Sequence, residues 1–175
     1  MTTTYFGRSQ GRQTIIKSVG GAIKVRFTDP VQAIRYFDSI SAALKDLQEP
    51  LEEYGRYIVE EHIPRQFEAQ GFPQRWPSLK TEYRKWKEKH YPGKPILVRT
   101  GRMKAGFSYQ VTKRTLRVVN RVTAGQRNRT PRWSWHQEPS EDSPLRARPM
   151  LQTTEKDLVI LSEHVFDHLE QAGEL

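Results

Sequence analysis

Few residues of this chain have the types and spacing for chemistry. His164 and His168 lie four apart, so on a helix they share one face and could grip a metal, with Glu163 and Asp167 beside them. The order is not the His-Glu-x-x-His of a zinc protease. A closed site takes about four ligands, so a third would have to come from His136 or elsewhere. A polar helix face near the C-terminal end, where positive charge is welcome, explains the pair as well. Ser134 near His136 lacks the Gly-x-Ser-x-Gly elbow of a hydrolase. The paired acids Glu52-Glu53 and Glu60-Glu61 fall on one solvated helix stripe. No Gly-x-x-x-x-Gly-Lys loop is present for nucleotide phosphates. The expectation is a protein with no catalytic residues, no metal and no cofactor.

Binding offers more. Arg121, Arg127, Arg129 and Arg132 run up to Trp133 and Trp135. Arginine takes phosphates and tryptophan stacks on bases, so this stretch is the best nucleic-acid candidate. Arg84, Lys85, Lys87 and Lys89 form a second cluster. No recognised DNA-reading motif holds either one. Non-specific DNA contact, docking to an acidic protein surface and plain solvation all remain open readings.

The elements that must position these residues read as follows. Residues 1–21 look like an extended arm, rich in Thr, Ser, Gly, Arg and Gln. Ala22 to Phe27 alternates like a short strand. Asp29-Pro30-Val31-Gln32 is a helix start. Ala33, Phe37, Ile40, Leu44 and Leu47 then mark one apolar stripe, until Glu49-Pro50 breaks the helix. A second helix turns Leu51, Tyr54, Ile58 and His62 inward and fades near Pro64 to Phe67. Gly71 to Leu79, with Pro73 and Pro77 around Trp76, must be an ordered loop anchored by that ring.

Thr81 to His90 reads as a short basic helix, Tyr91-Pro92-Gly93 as a turn, and Ile96 to Val98 as extended. Thr100 to Met103 starts one helical turn. Phe107 to Val111 and Leu116 to Val122 are two strands. Trp133-Ser134-Trp135 alternates like a strand edge. Thr154, with Asp157 three residues on, caps a last helix striped by Leu158, Leu161, Val165 and Leu169. This order predicts an α+β domain: a small, mainly antiparallel sheet against long N-terminal helices and a C-terminal helix. Residues 22–175 would form that single domain, with 1–21 as its arm.

Composition sets the remaining bounds. The chain has 175 residues, 35% hydrophobic and 28% charged, with a net charge of +9. That core is lean enough for neighbouring subunits to matter to stability. Charge alternates by segment: +5 over 1–28, −5 over 29–70, +12 over 71–121, +2 over 122–150 and −5 over 151–175. A subunit docking an acidic face on a neighbour's basic face would carry such blocks. So would a soluble surface of acidic helices and basic loops. No apolar run reaches the ~18 residues of a membrane span, and the N-terminus has no apolar signal segment. With zero cysteines there is no disulfide, which fits a reducing cytoplasm.

Three short motifs carry a resemblance. They are Gly71-Phe72-Pro73-Gln74-Arg75-Trp76-Pro77-Ser78-Leu79-Lys80-Thr81, then Ile96-Leu97-Val98-Arg99-Thr100-Gly101-Arg102-Met103, then His136-Gln137 followed by Arg146-Ala147-Arg148-Pro149-Met150-Leu151. In this order and spacing they resemble the phage virion morphogenesis family, the tail completion proteins of Mu-like tailed phages. The likeness covers about residues 22–170. The departures are an extra residue between Pro73 and Trp76, Met103 for leucine, Gly106 where a serine is common, Glu138 for glycine, Arg146 for proline and Met150 for phenylalanine.

The resemblance implies a structural virion protein of the neck or tail end, made in the host cytoplasm. It implies a ring around the DNA channel, most simply a hexamer, joined to neighbouring neck, connector or tail proteins, with no membrane partner. It marks Pro73, Trp76, Leu79, Thr81, Thr100, Gly101, Met103, His136, Gln137, Ala147, Arg148 and Pro149 as residues that pin irregular backbone rather than react.

Overall fold

The computed structural model describes residues 15–19, 22–26, 29–123, 133–139, 141 and 145–173. They form two compact units: the described parts of Met1–Asp46 and Asp167–Leu175, and Leu47–Phe166. Helices and antiparallel strands make the fold α+β. The strands form two separate hairpins rather than one sheet.

In the first unit, β1 (Ile15–Val19) pairs antiparallel with β2 (Ala22–Arg26), Ile15 opposite Arg26. Residues 15–19, expected within the arm, are therefore a strand. Ile15, Ile16 and Val19 favour extended backbone, and β2 supplies the partners. α1 (Pro30–Lys45) starts where expected. The Val31 amide donates to Asp29 Oδ1 at 2.9 Å, and Pro30 needs no donor at the first position. The expected stripe does not fill a core: α1 contains no buried residue, and Phe37 and Leu44 are exposed.

The second unit holds the core. α2 (Gln48–Tyr57) begins after a break at Asp46–Leu47. Pro50 sits in its first turn, where no intrahelical donor is required, so it opens this helix. A π-helical turn (Ile58–His62) leads into α3 (Ile63–Ala69). Pro64 explains the wide turn. It has no amide to donate, and its ring would press on the Glu60 carbonyl of a regular helix. The extra residue brings His62 and Ile63 inward together with Tyr54 and Ile58.

α4 (Thr81–His90) has the expected bounds. Ile96–Val98 is a tight turn, not an extended segment: the Val98 amide donates to Pro95 O at 3.1 Å and Leu97 has φ 62°. α5 (Arg102–Ala105) follows Gly101, whose φ of 80° favours glycine.

β3 (Phe107–Thr112) and β4 (Thr115–Asn120) form a hairpin. Trp133-Ser134-Trp135 is not a strand edge; Ser134–Gln137 is one helical turn, α6, with the His136 and Gln137 amides both on Trp133 O. Three residues of alternation are too few to tell strand from turn. α7 (Glu155–Gly173) closes the chain.

Tyr54, Ile58, Ile63, Phe67, Trp76, Met103, Phe107 and Met150 form the core. The hairpin lies hard against α2 at Gly55. A Cβ there would stand 2.6 Å from Tyr109 Cδ2 and 2.9 Å from Leu116 Cδ1. Gly55→Ala should therefore destabilise the chain by about 1–3 kcal/mol in urea unfolding, despite alanine's better helix propensity. An unchanged or raised midpoint would show that the hairpin can retreat.

Candidate functional site: a cationic pocket

The three motifs close on one another. Trp76 is buried, packs edge-on against Phe67 at 5.5 Å, and donates its indole N–H to Pro149 O at 2.9 Å. The buried Arg148 guanidinium grips the same loop from the other side. Its Nε donates to Pro77 O at 3.0 Å, one terminal nitrogen to Ser78 O at 3.1 Å, and the other to Arg146 O at 3.4 Å. The Arg148 amide reaches His136 O at 2.7 Å.

Gln137 holds the following residues. Its Oε1 accepts from the Met150 and Leu151 amides at 2.8 and 3.1 Å, and its Nε2 donates to Leu151 O at 3.1 Å. Gln66 starts the loop, accepting from the Phe72 amide at 2.8 Å. Irregular backbone is thus tied by side chains that donate to its carbonyls and accept from its amides, which satisfies buried polar groups without regular structure.

These ties shape a cavity of about 510 Å³. Leu79, Thr100, Gly101, Met103, His136 and Arg148 line it, and Trp76, Gln137 and Pro149 brace the wall behind. Pro73, Thr81 and Ala147 are exposed and line no part of it. Lys80, Lys87, Arg99, Arg102 and Arg146 line it too; sequence reasoning named Lys87 as part of the α4 basic cluster and gave the other four no binding role. Four of these five fall in the +12 block, which gives a charge but no address, and Arg146 falls in the +2 segment after it.

Among the described residues no carboxylate lines the pocket. Lys87 is buried rather than solvated, its ammonium on Pro95 O. Burial pushes the Lys87 pKa down; burial and then the Arg146 charge push the Arg148 pKa down. The floor is aliphatic, with Leu79, Leu97, Val98, Met103 and Leu145.

The other candidates separate. Arg121 is exposed and outside the pocket, while Arg127, Arg129 and Arg132 lie outside the described residues. Trp133 packs on Phe107 at 5.9 Å, so its ring serves the core. His164 pairs with Glu53 at 3.0 Å, and His168 with the Asp46 carbonyl at 3.0 Å. Among the described residues no group of three or more His, Cys, Asp or Glu could hold a metal.

One polar cluster was not anticipated. Asp157 and His62, both fully buried, pair at 3.0 Å (Nδ1 to Oδ1), with the Tyr57 hydroxyl 2.6 Å and Arg65 3.4 Å from the same oxygen. Thr154 supplies the expected cap, its amide and hydroxyl each donating to Oδ2 at 2.7 Å. Burial alone would raise the Asp157 pKa. The Thr154 and Tyr57 hydrogen bonds, with His62, overcome it and hold the carboxyl well below the usual range. Burial, then the bond to Asp157 and its charge, push the Tyr57 phenol up to about 12. A histidine–aspartate pair sealed from solvent offers no approach to a substrate, so its work is structural.

Comparison with protein-family models, curated proteins and solved structures finds no match.

Proposed function

We propose that this chain is a structural subunit of the phage neck or tail end, a tail completion or head–tail connector protein that acts as a ring of identical copies. The resemblance of its three motifs supports the phage assignment. The observation that carries the subunit reading is the apolar surface left outside. Val31, Ile34, Phe37 and Leu44 on α1 are 47–61% exposed, as are Leu158, Val159 and Phe166 on α7 at 52–56%. A helix with no buried residue gains little from its own unit and is stabilised by a neighbour. The motif residues fit the same reading, since they brace backbone instead of presenting reactive groups.

Light scattering of the purified chain across concentration, at low and high salt, is the test. The expected result is a discrete multiple of 20.5 kDa that loosens as salt rises, because charged faces contribute to the contact. A 20.5 kDa particle that also fails to join isolated neck or tail particles would sink the reading.

A second reading, a basic DNA-binding accessory protein without sequence preference, is favoured by α4. Tyr83 and Trp86 stack at 5.6 Å, and Trp86 and His90 at 4.7 Å, on an exposed helix that also carries Arg84, Lys85 and Lys89. Affinity for duplex DNA would then fall steeply with salt.

A further inference from the structure

Two buried cations stand in the wall of the pocket, and among the described residues neither has a counter-charge. Lys87 and Arg148 are 5% and 6% exposed, and every hydrogen bond their side chains make goes to a backbone carbonyl. Arg99, Arg102, Arg146 and Lys80 add positive charge around the lining, and among the described residues no carboxylate lines it. Buried charge left unpaired is costly. An occupant bringing carboxylates would relieve that cost, and the aliphatic floor requires it to bring apolar side chains too.

The same unit presents a surface of that description. On α7, Asp157, Ile160, Leu161 and His164 turn inward, wholly or in part. Glu155, Val159, Glu163 and Phe166 therefore share the opposite, exposed face, at helical spacings of four, four and three. Leu158 flanks them and is 56% exposed. None of these residues lines the pocket.

We propose that the pocket receives the outer face of α7 from a second copy of the chain, with Val159 and Phe166 over the aliphatic floor and Glu155 and Glu163 against the cations. This rests on the assembly reading above and names its contact surfaces. A cavity of about 510 Å³ takes side chains and not a helix, so α7 lies across the mouth. Val159 and Phe166 are two turns apart, about 10.5 Å along the axis, and enter as separate knobs. Pocket and helix face are different surfaces. The contact is therefore heterologous, and repeated by rotation it closes a ring. DNA is the poorer occupant, because phosphates would meet the cations but leave the aliphatic floor wet.

A charge swap tests this on the full chain. Arg102 and Glu163 are both exposed, and among the described residues neither side chain makes a hydrogen bond or ion pair, so Arg102→Glu and Glu163→Lys should leave folding intact, checked by circular dichroism. Sedimentation should show each single variant weakening association at least tenfold, and the double variant returning to within about threefold of the parent. An assembled parent whose single variants associate as well as it does overturns the pocket–α7 contact and leaves the subunit reading standing. So does a double variant whose losses simply add. A parent that stays monomeric across the range overturns docking between copies, while its uptake by neck or tail particles still judges the connector role. Duplex DNA binding lost on Arg102→Glu, with mass unchanged, would reassign the pocket to nucleic acid.

Discussion

Asp157→Ala is expected to cost about 3–5 kcal/mol of unfolding free energy. The carboxylate takes contacts from Tyr57, His62, Arg65 and both polar groups of Thr154. Removing it strands a fully buried imidazole, leaves Arg65 unanswered and opens the first turn of α7. Acid should act through the same group. Its folded pKa is depressed, so its contribution is complete above the unfolded value of about 4 and is lost as pH falls below that. Urea unfolding from pH 6 to 2 should show a steep loss in the parent and a shallower one in Asp157→Asn. Equal slopes would mean that other carboxylates set the acid limit. Tyr57→Phe, which removes one donor to the carboxylate, should cost about 1.5–3 kcal/mol at neutral pH.

That cluster marks where sequence reading stops. Thr154 and Asp157 were legible as a cap because the two sit within one turn. His62 was expected inward from its spacing to Ile58. Nothing local could reveal that His62 and Asp157, 95 residues apart, meet at 3.0 Å. The same limit holds at Asn120, whose side chain donates to Met103 O at 2.7 Å and ties the end of β4 to α5.

Periodicity located α4 and the β3–β4 hairpin because each is a local pattern with its own turn signals. It failed for Ile96–Val98, where three apolar residues look extended but Leu97 takes a left-handed backbone to point into the core. At α1 it located the helix, but the stripe is only partly covered: Ala33 and Ile40 are half-buried, while Phe37 and Leu44 are exposed. Periodicity says that a face is apolar, not that the same chain buries it.

The pocket was half legible. Its braces stood out as motifs because Trp, Pro and Arg in irregular sequence need fixed partners. Its charge stood out as a block. The lining required the fold, since Lys80, the Arg99–Arg102 stretch and Arg146 come from three separate segments. Lys87 shows the cost of reading charge from sequence alone: it belongs to a basic run, yet it is buried where its helix neighbours are solvated.

Trp76→Ala should rank beside Asp157→Ala, at about 3–5 kcal/mol, and should also disable docking. The ring fills the space between Phe67 and the 146–151 segment, and its N–H is the donor for Pro149 O. Deleting it opens a cavity in the core and frees the loop whose Pro77 and Ser78 carbonyls hold Arg148. The pocket wall would then lose both supports together. Trp76→Phe separates the two effects. It keeps most of the packing and removes only the donor, so it should cost about 1–3 kcal/mol and leave assembly measurable. A Phe variant as damaged as the Ala variant would place the hydrogen bond above the packing. If Trp76→Ala unfolds at the parent midpoint, the loop is held without its ring, and Arg148 alone carries the wall.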